Sequence, residues 1–198
     1  MVDVMRFFKG QAAERALYLH EIASTLRGQR LQAIWYYDAT CEENGETFFE
    51  ADIPERQKFI DIHHLMFGID IVTDQRRALA FRWDTYRKPG EYELDLIAGS
   101  LEANLPKAGG WKRLAQSSHP CWVPLVGQTI RNFVFTRDVQ DDHRHGFICD
   151  CRIDFEDAQP VWICARSSGN GFQDTGDDII AIFDRETAVN LGVRVDAS

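Results

Sequence analysis

The feature that most constrains this chain is that its second half nearly repeats its first. Leu125-Val126-Gly127-Gln128-Thr129-Ile130 is followed by Phe133, Phe135 and Asp138. Leu26-Arg27-Gly28-Gln29-Arg30-Leu31 is followed by Ile34, Tyr36 and Asp38. Further on, Ile153-Asp154-Phe155-Glu156-Asp157 ahead of Val161-Trp162-Ile163 matches Ile71-Val72-Thr73-Asp74-Gln75 ahead of Leu79-Ala80-Phe81. One unit used twice implies two halves with the same strands and hairpins. The organisation expected is an N-terminal helix and first β-rich repeat over 1–105, a packed connection over 106–124, and a second β-rich repeat over 125–198.

Periodicity supplies the elements. Ala12, Ala16, Leu19, Ala23 and Leu26 recur at helical spacing, so 11–27 reads as a helix, with Gly28 placed to close it. Leu31 to Tyr37 is rich in aromatic and bulky aliphatic residues and reads as a strand. Leu65, Phe67, Ile69 and Ile71 alternate with Met66, Gly68, Asp70 and Val72, which predicts one strand over 65–73. Asp74 to Arg77 turns the chain, and Leu79, Phe81 and Trp83 return on a single face. Tyr92 to Ile97 is a further strand, and Ser100 to Leu105 holds a helical turn. In the second half, strands are expected over 130–135, 147–155, 161–165 and 179–183, with Asp184 capping a short helix that Gly192 ends. The fold class is therefore α+β: two tandem, related β-rich units with mainly antiparallel strands, an N-terminal helix and a short C-terminal helix.

Charge narrows the partners. The formal net charge is -9, which repels a polyanion and disfavours nucleic acid. No apolar run approaches the roughly 20 residues that span a bilayer. Asp3, Arg6 and Lys9 interrupt the start before a secretory core can form. The five cysteines are odd in number and show no framework of spacings, so the expectation is reduced thiols and a cytoplasmic protein. Between Arg30 and Arg56 there is no Lys or Arg, while Asp38, Glu42, Glu43, Glu46, Glu50, Asp52 and Glu55 crowd the stretch. Asn44-Gly45 at its centre is a two-residue turn signal, with Thr47-Phe48-Phe49 as the return strand.

Motifs for chemistry are few. His143-Arg144-His145 with Cys149-Asp150-Cys151 offers zinc ligands, but along a strand at about 3.3 Å per residue they lie too far apart for one coordination sphere. Phe147, Cys149, Cys151, Ile153 and Phe155 also form one alternating apolar face, where cysteine packs as a small buried hydrophobe. His20-Glu21-Ile22-Ala23-Ser24 lacks the second histidine of the zinc-protease helix. Asp174-Thr175-Gly176 lacks the apolar setting and the second copy that an aspartic dyad needs. Asn170, Asp174, Asp177 and Asp178 do not have the spacing of an EF-hand loop. His63-His64 and Ser117-Ser118-His119 supply imidazoles and hydroxyls, yet sequence adjacency is no evidence for a site assembled in space. No nucleophile elbow, phosphate loop or dinucleotide fingerprint occurs.

The sequence therefore points to no catalytic residue, metal or cofactor. Its leading expectation is a non-enzymatic acidic protein that binds a protein partner with a basic surface, by analogy with bacterial immunity proteins. The contact residues would be Asp38, Glu42, Glu43, Glu46, Glu50, Asp52 and Glu55, with Phe48, Phe49 or Trp162 as apolar anchors. Two alternatives stand beside it: a hydrolase-type enzyme with its site between the repeats, and a small-ligand sensor with a pocket there.

Overall fold

Short alternating segments joined by tight turns bury one face each, and two such sheets satisfy one another by packing inner face to inner face. The computed structural model describes residues 12–43, 46–49, 62–85, 92–105, 110–137, 148–166, 178–193 and 195. Helix α1 (Ala12–Ser24) precedes β1 (Leu31–Glu43), β2 (Glu46–Phe49), β3 (Ile62–Leu65), β4 (Gly68–Thr73), β5 (Ala78–Thr85) and β6 (Tyr92–Ala98). Then follow β7 (Trp111–Ala115), β8 (Ile130–Arg137), β9 (Ile148–Phe155), β10 (Val161–Arg166), β11 (Asp178–Ile182) and α2 (Arg185–Asn190). One sheet has the order β2-β1-β4-β5-β6 with β7 also on β1, and the other has the order β3-β11-β10-β9-β8. Among the described residues every pairing is antiparallel. The chain is an α+β, β-rich fold.

The two sheets share a four-strand meander in matching register. Leu31 lies opposite Thr73 and, after a bulge, Ala33 opposite Val72; Ile130 lies opposite Phe155 and, after a bulge, Asn132 opposite Asp154. Ile71 opposite Leu79 has its counterpart in Ile153 opposite Val161, and Phe81 opposite Leu96 in Ile163 opposite Ala181. The segments that enter these meanders bond to each other. Gly28 N–H donates to the Ile130 carbonyl at 2.9 Å, and Gly127 N–H to the Leu31 carbonyl at 2.7 Å. Leu31 N–H donates to Gln128 and Ile130 N–H to Gln29, both at 2.9 Å. Exchanging 28–31 with 127–130 maps this set of bonds onto itself, as a local twofold axis does. The match is one of backbone path. Side chains at matched places differ in kind, Asp70 against Arg152 for example.

Ile34, Ile69, Ile71, Phe81 and Leu96 from one sheet share a single core with Phe133, Cys151, Ile153, Ile163 and Ala181 from the other. Helix α1 buries Leu19 and Ala23 in that core, with Leu26 just beyond its end, and lies against β6 and β8. A buried ion pair from Arg15 to Asp95 on β6 fixes its position. Each outer face is roofed by a short helix. A 3-10 turn at Leu101–Ala103, capped by Ser100, covers Tyr37 and Ala80. Helix α2, capped by Asp184 accepting from Thr187 N–H at 2.7 Å, packs with Trp162, Cys164 and Ile180.

Four expectations need correction. The strand read over 65–73 is two strands in different sheets. β3 pairs with β11, the chain crosses at Met66-Phe67, and β4 pairs with β1 and β5. Gly68 permits the crossing, since a Cβ there would stand 2.2 Å from the Phe81 carbonyl oxygen. Phe67 accordingly joins the outer cluster, not the inner one with Leu65. The connection 106–124 contains a strand, β7, which pairs with β1. Trp162 does face outward, but it is 2 % exposed in the cluster that includes Ala188 of α2, so it is not a surface anchor. The alternation along β9 breaks at a register shift between Thr136 and Arg137, which turns Ile148 into the inner core. Cys151 is buried there as expected, while the Cys149 side chain lies outside the described residues.

Among the described residues no helix is long and apolar enough to cross a membrane.

Candidate metal centre

Crossing from one sheet to the other brings a histidine to the rim of the sandwich. On β3, Ile62 joins the outer cluster and Leu65 the inner one. His63 has the same strand parity as Leu65, so it faces between the sheets, while His64 faces away. On β1 the same alternation turns Ile34 and Tyr36 inward and Trp35 and Tyr37 outward.

The third element is the turn between β7 and β8, which is strapped to β1 at both ends. The Gln116 N–H donates to the Ile34 carbonyl at 3.0 Å, and the Ser117 hydroxyl accepts from the Ile34 N–H at 3.1 Å. At the far end stand the bonds of Gly127 and Gln128 to Leu31. Between the straps the His119 carbonyl accepts from the N–H groups of Trp122 and Val123, both at 2.9 Å. Pro120 between His119 and Cys121 restricts the backbone of that turn.

These elements place His63, His119 and Cys121 together. One ligand atom of each lies within 4.8 Å of the others, and all three side chains are partly exposed. The His63 and His119 rings meet edge to face with centroids 4.4 Å apart. Aromatic rings fill the space behind them. His63 packs on Phe183 at 4.9 Å, Trp122 on Phe183 at 4.8 Å, and Trp122, Phe183 and Tyr36 are all buried.

A hydrogen-bonded chain supports His63. The Trp122 indole N–H donates to the Tyr36 hydroxyl oxygen at 2.5 Å, and that oxygen lies 2.5 Å from His63 Nδ1. An indole can only donate, so the Tyr36 hydroxyl proton is left to point at His63 Nδ1 in the metal-free protein. His63 Nδ1 is thus engaged, which leaves Nε2 for a metal. With a metal at Nε2 the ring proton would sit at Nδ1, and His63 would then donate to the Tyr36 oxygen. His119 Nδ1 accepts the Cys121 N–H at 3.3 Å, a long bond that a metal at Nδ1 would replace at small cost.

Electrostatics keep the site neutral. Burial pushes the Tyr36 hydroxyl well above its usual range; the Trp122 bond opposes this and the Cys121 charge adds to it. His63 is held down at about 3 by burial first, then by His119 and His64. Burial also lowers His119. Both rings are therefore neutral at neutral pH, the form that ligates metals. Cys121 is in no disulfide.

Of the residues that the sequence suggested for partner binding, only Asp38 and Trp162 have side chains among the described residues, and neither belongs to this group. Among the described residues Thr40 to Glu43 of β1 pair with β2 alone, Glu43 opposite Glu46 and Glu42 opposite Thr47. Glu42, Glu43, Glu46, Phe48 and Phe49 belong to this ribbon, but their side chains lie outside the described residues, as do Glu50, Asp52 and Glu55 altogether. Asp38 is 1 % exposed and accepts the Met66 N–H at 3.0 Å, which makes it a brace for the β3–β4 crossing, not a contact residue. His143, His145 and the 170–177 loop also lie outside the described residues. The sequence does contain the elements of the site, as His63-His64 and His119-Pro120-Cys121. Only the pairing of β3 with β11, beside a turn strapped to β1, makes them one group.

No protein-family model, curated protein or solved structure matches this chain.

Proposed function

We propose that the protein binds a borderline-to-soft transition metal ion, zinc above all, through His63, His119 and Cys121. The observation that carries this reading is the convergence of two imidazoles and a thiol within 4.8 Å. Zinc takes nitrogen and sulfur ligands at distances that a modest closure of this group would supply. Each neutral imidazole binds through its unprotonated nitrogen and keeps its one ring proton, so binding releases the thiol proton only. The Tyr36–Trp122 chain behind His63 has the form of an outer shell that orients a ligand. A bound ion would tie β3 of one sheet to a turn held on β1 of the other, and so stabilise the sandwich.

The test is equilibrium dialysis of reduced, chelator-treated protein against zinc, with elemental analysis and thermal unfolding. One equivalent and a raised Tm are expected for the wild-type chain, with both lost in Cys121→Ser and His119→Gln. Zinc content equal in wild type and variants would place the metal elsewhere and end this reading.

A second reading concerns the β1–β2 ribbon, where acidic residues stand on β2 and on the stretch of β1, Thr40 to Glu43, that among the described residues pairs with β2 alone. It is the acidic, partner-binding role that the sequence suggests, with a basic protein as partner. Proteins retained by the immobilised wild-type chain should be lost when Glu42, Glu43 and Glu46 are all changed to Lys. Equal retention by a variant with unchanged circular dichroism removes the ribbon from any interface.

A further inference from the structure

We infer that the metal at this site keeps one coordination position open to solvent and fills it with an exchangeable small anion, hydroxide in the resting state. This rests on the metal-binding reading above and goes beyond it, because a site closed by four protein ligands would bind the ion and do nothing else.

Three observations lead there. The group holds three donors, and among the described residues no fourth His, Cys, Asp or Glu belongs to it. The inner side is occupied by Trp122, Phe183 and Tyr36, rings that pack on His63 or on one another and wall that side of the group with aromatic carbon. All three residues are partly exposed, so the direction opposite the aromatic floor is the direction of water.

Charge then selects the ligand. Two neutral imidazoles and one thiolate leave a divalent cation with one uncompensated positive charge, and no carboxylate in the group cancels it. A small anion completes both the sphere and the charge. A cation in such a site acidifies its bound water toward neutrality, so hydroxide is the ligand in buffer. Three protein ligands and one exchangeable position are the general form of a catalytic zinc, here at the junction of the two sheets where an enzyme reading of the sequence puts its site.

Cobalt(II) is the probe, because its visible bands report coordination number and its thiolate charge-transfer band reports Cys121. Reduced, metal-free wild-type protein is titrated with cobalt, and the one-to-one complex is then titrated with azide and, separately, with thiocyanate. The expected result is a thiolate band at one equivalent, absent in Cys121→Ser. The visible bands should then shift to saturation with either anion while cobalt stays bound through desalting. A thiolate band with visible bands unmoved by both anions means a closed site, which overturns this inference and leaves metal binding standing. No cobalt uptake by the wild-type chain, or uptake unchanged in both Cys121→Ser and His63→Gln, overturns the metal-binding reading itself.

Discussion

Acidification of the metal-free protein should destabilise it through His63 in a pH range where carboxylates barely titrate. The ring is held at about 3, against an ordinary value near 6.5 in the unfolded chain. Between those values the unfolded state binds the proton and the folded state does not. Stability is therefore complete above pH 6.5 and falls as pH falls towards 3. At roughly 1.4 kcal/mol per pH unit, the loss reaches about 2 kcal/mol at pH 5. Water at the partly exposed ring screens part of this, so about 1 kcal/mol is the working figure. The cause is local: Tyr36, itself receiving the Trp122 N–H, gives its proton to Nδ1, and protonating that nitrogen reverses the bond beside a second imidazole. The assay is urea unfolding at pH 7.5 and pH 5.0 with chelator present, for the wild-type chain and His63→Gln. The carboxylates cancel in the comparison, and the variant should lose about 1 kcal/mol less on acidification. Equal losses in the two proteins would refute the reasoning.

Tyr36→Phe should weaken zinc binding by about 10- to 100-fold without abolishing it, read by competition with a chromophoric chelator. The same change strands the Trp122 indole N–H and should cost about 1 to 3 kcal/mol in urea unfolding. Gly28→Ala and Gly127→Ala should each destabilise by about 1 to 2 kcal/mol and by similar amounts. An added Cβ meets nothing within 4 Å at either place, so backbone strain at φ +74° and +89° is the whole cost. Very unequal losses would show that the two turns are not equivalent. Cys151, fully buried with its thiol pushed far up by burial, should label only on unfolding. Cys121 should label in the native protein and be protected by zinc, as followed by mass spectrometry.

Much of the fold was legible because period-two alternation survives wherever one face is buried and the other is not. The hairpin of β4 and β5 reads directly from Ile69, Ile71, Leu79 and Phe81, and β8 to β11 fall where the sequence puts strands. The reading failed where alternation continued through a change of sheet. Leu65, Phe67, Ile69 and Ile71 keep strict alternation across the crossing, because Phe67 is buried too, in the opposite cluster. Trp162 misled for a related reason. Its face points out of the sandwich, but α2 and Val193 make a second apolar layer over it, and one strand's pattern carries no news of a later helix. β7 alternates so weakly, with only Trp111 and Leu114 turned from solvent, that punctuation by Pro and Gly outweighed it.

The site was illegible for a deeper reason than missing motif letters. A metal motif is readable when its ligands share one element, as two histidines one turn apart do on a helix. Here the ligands come from an edge strand and from a turn, 56 residues from His63 to His119, and neither segment has a reason to meet the other in its own sequence. Their meeting follows from two facts of pairing. β3 leaves its own sequence neighbours to pair with β11, and 116–128 is stapled to β1 at Ile34 and at Leu31. The second staple is made by the two Gly-Gln segments, so a sequence match that could be read and a site that could not are joined at the same backbone. Weakening that staple, by Gly127→Ala for instance, should therefore lower zinc affinity although Gly127 touches no ligand. Dialysis of the folded variant tests this. An unchanged affinity would mean that the strap at Ile34 alone holds the turn.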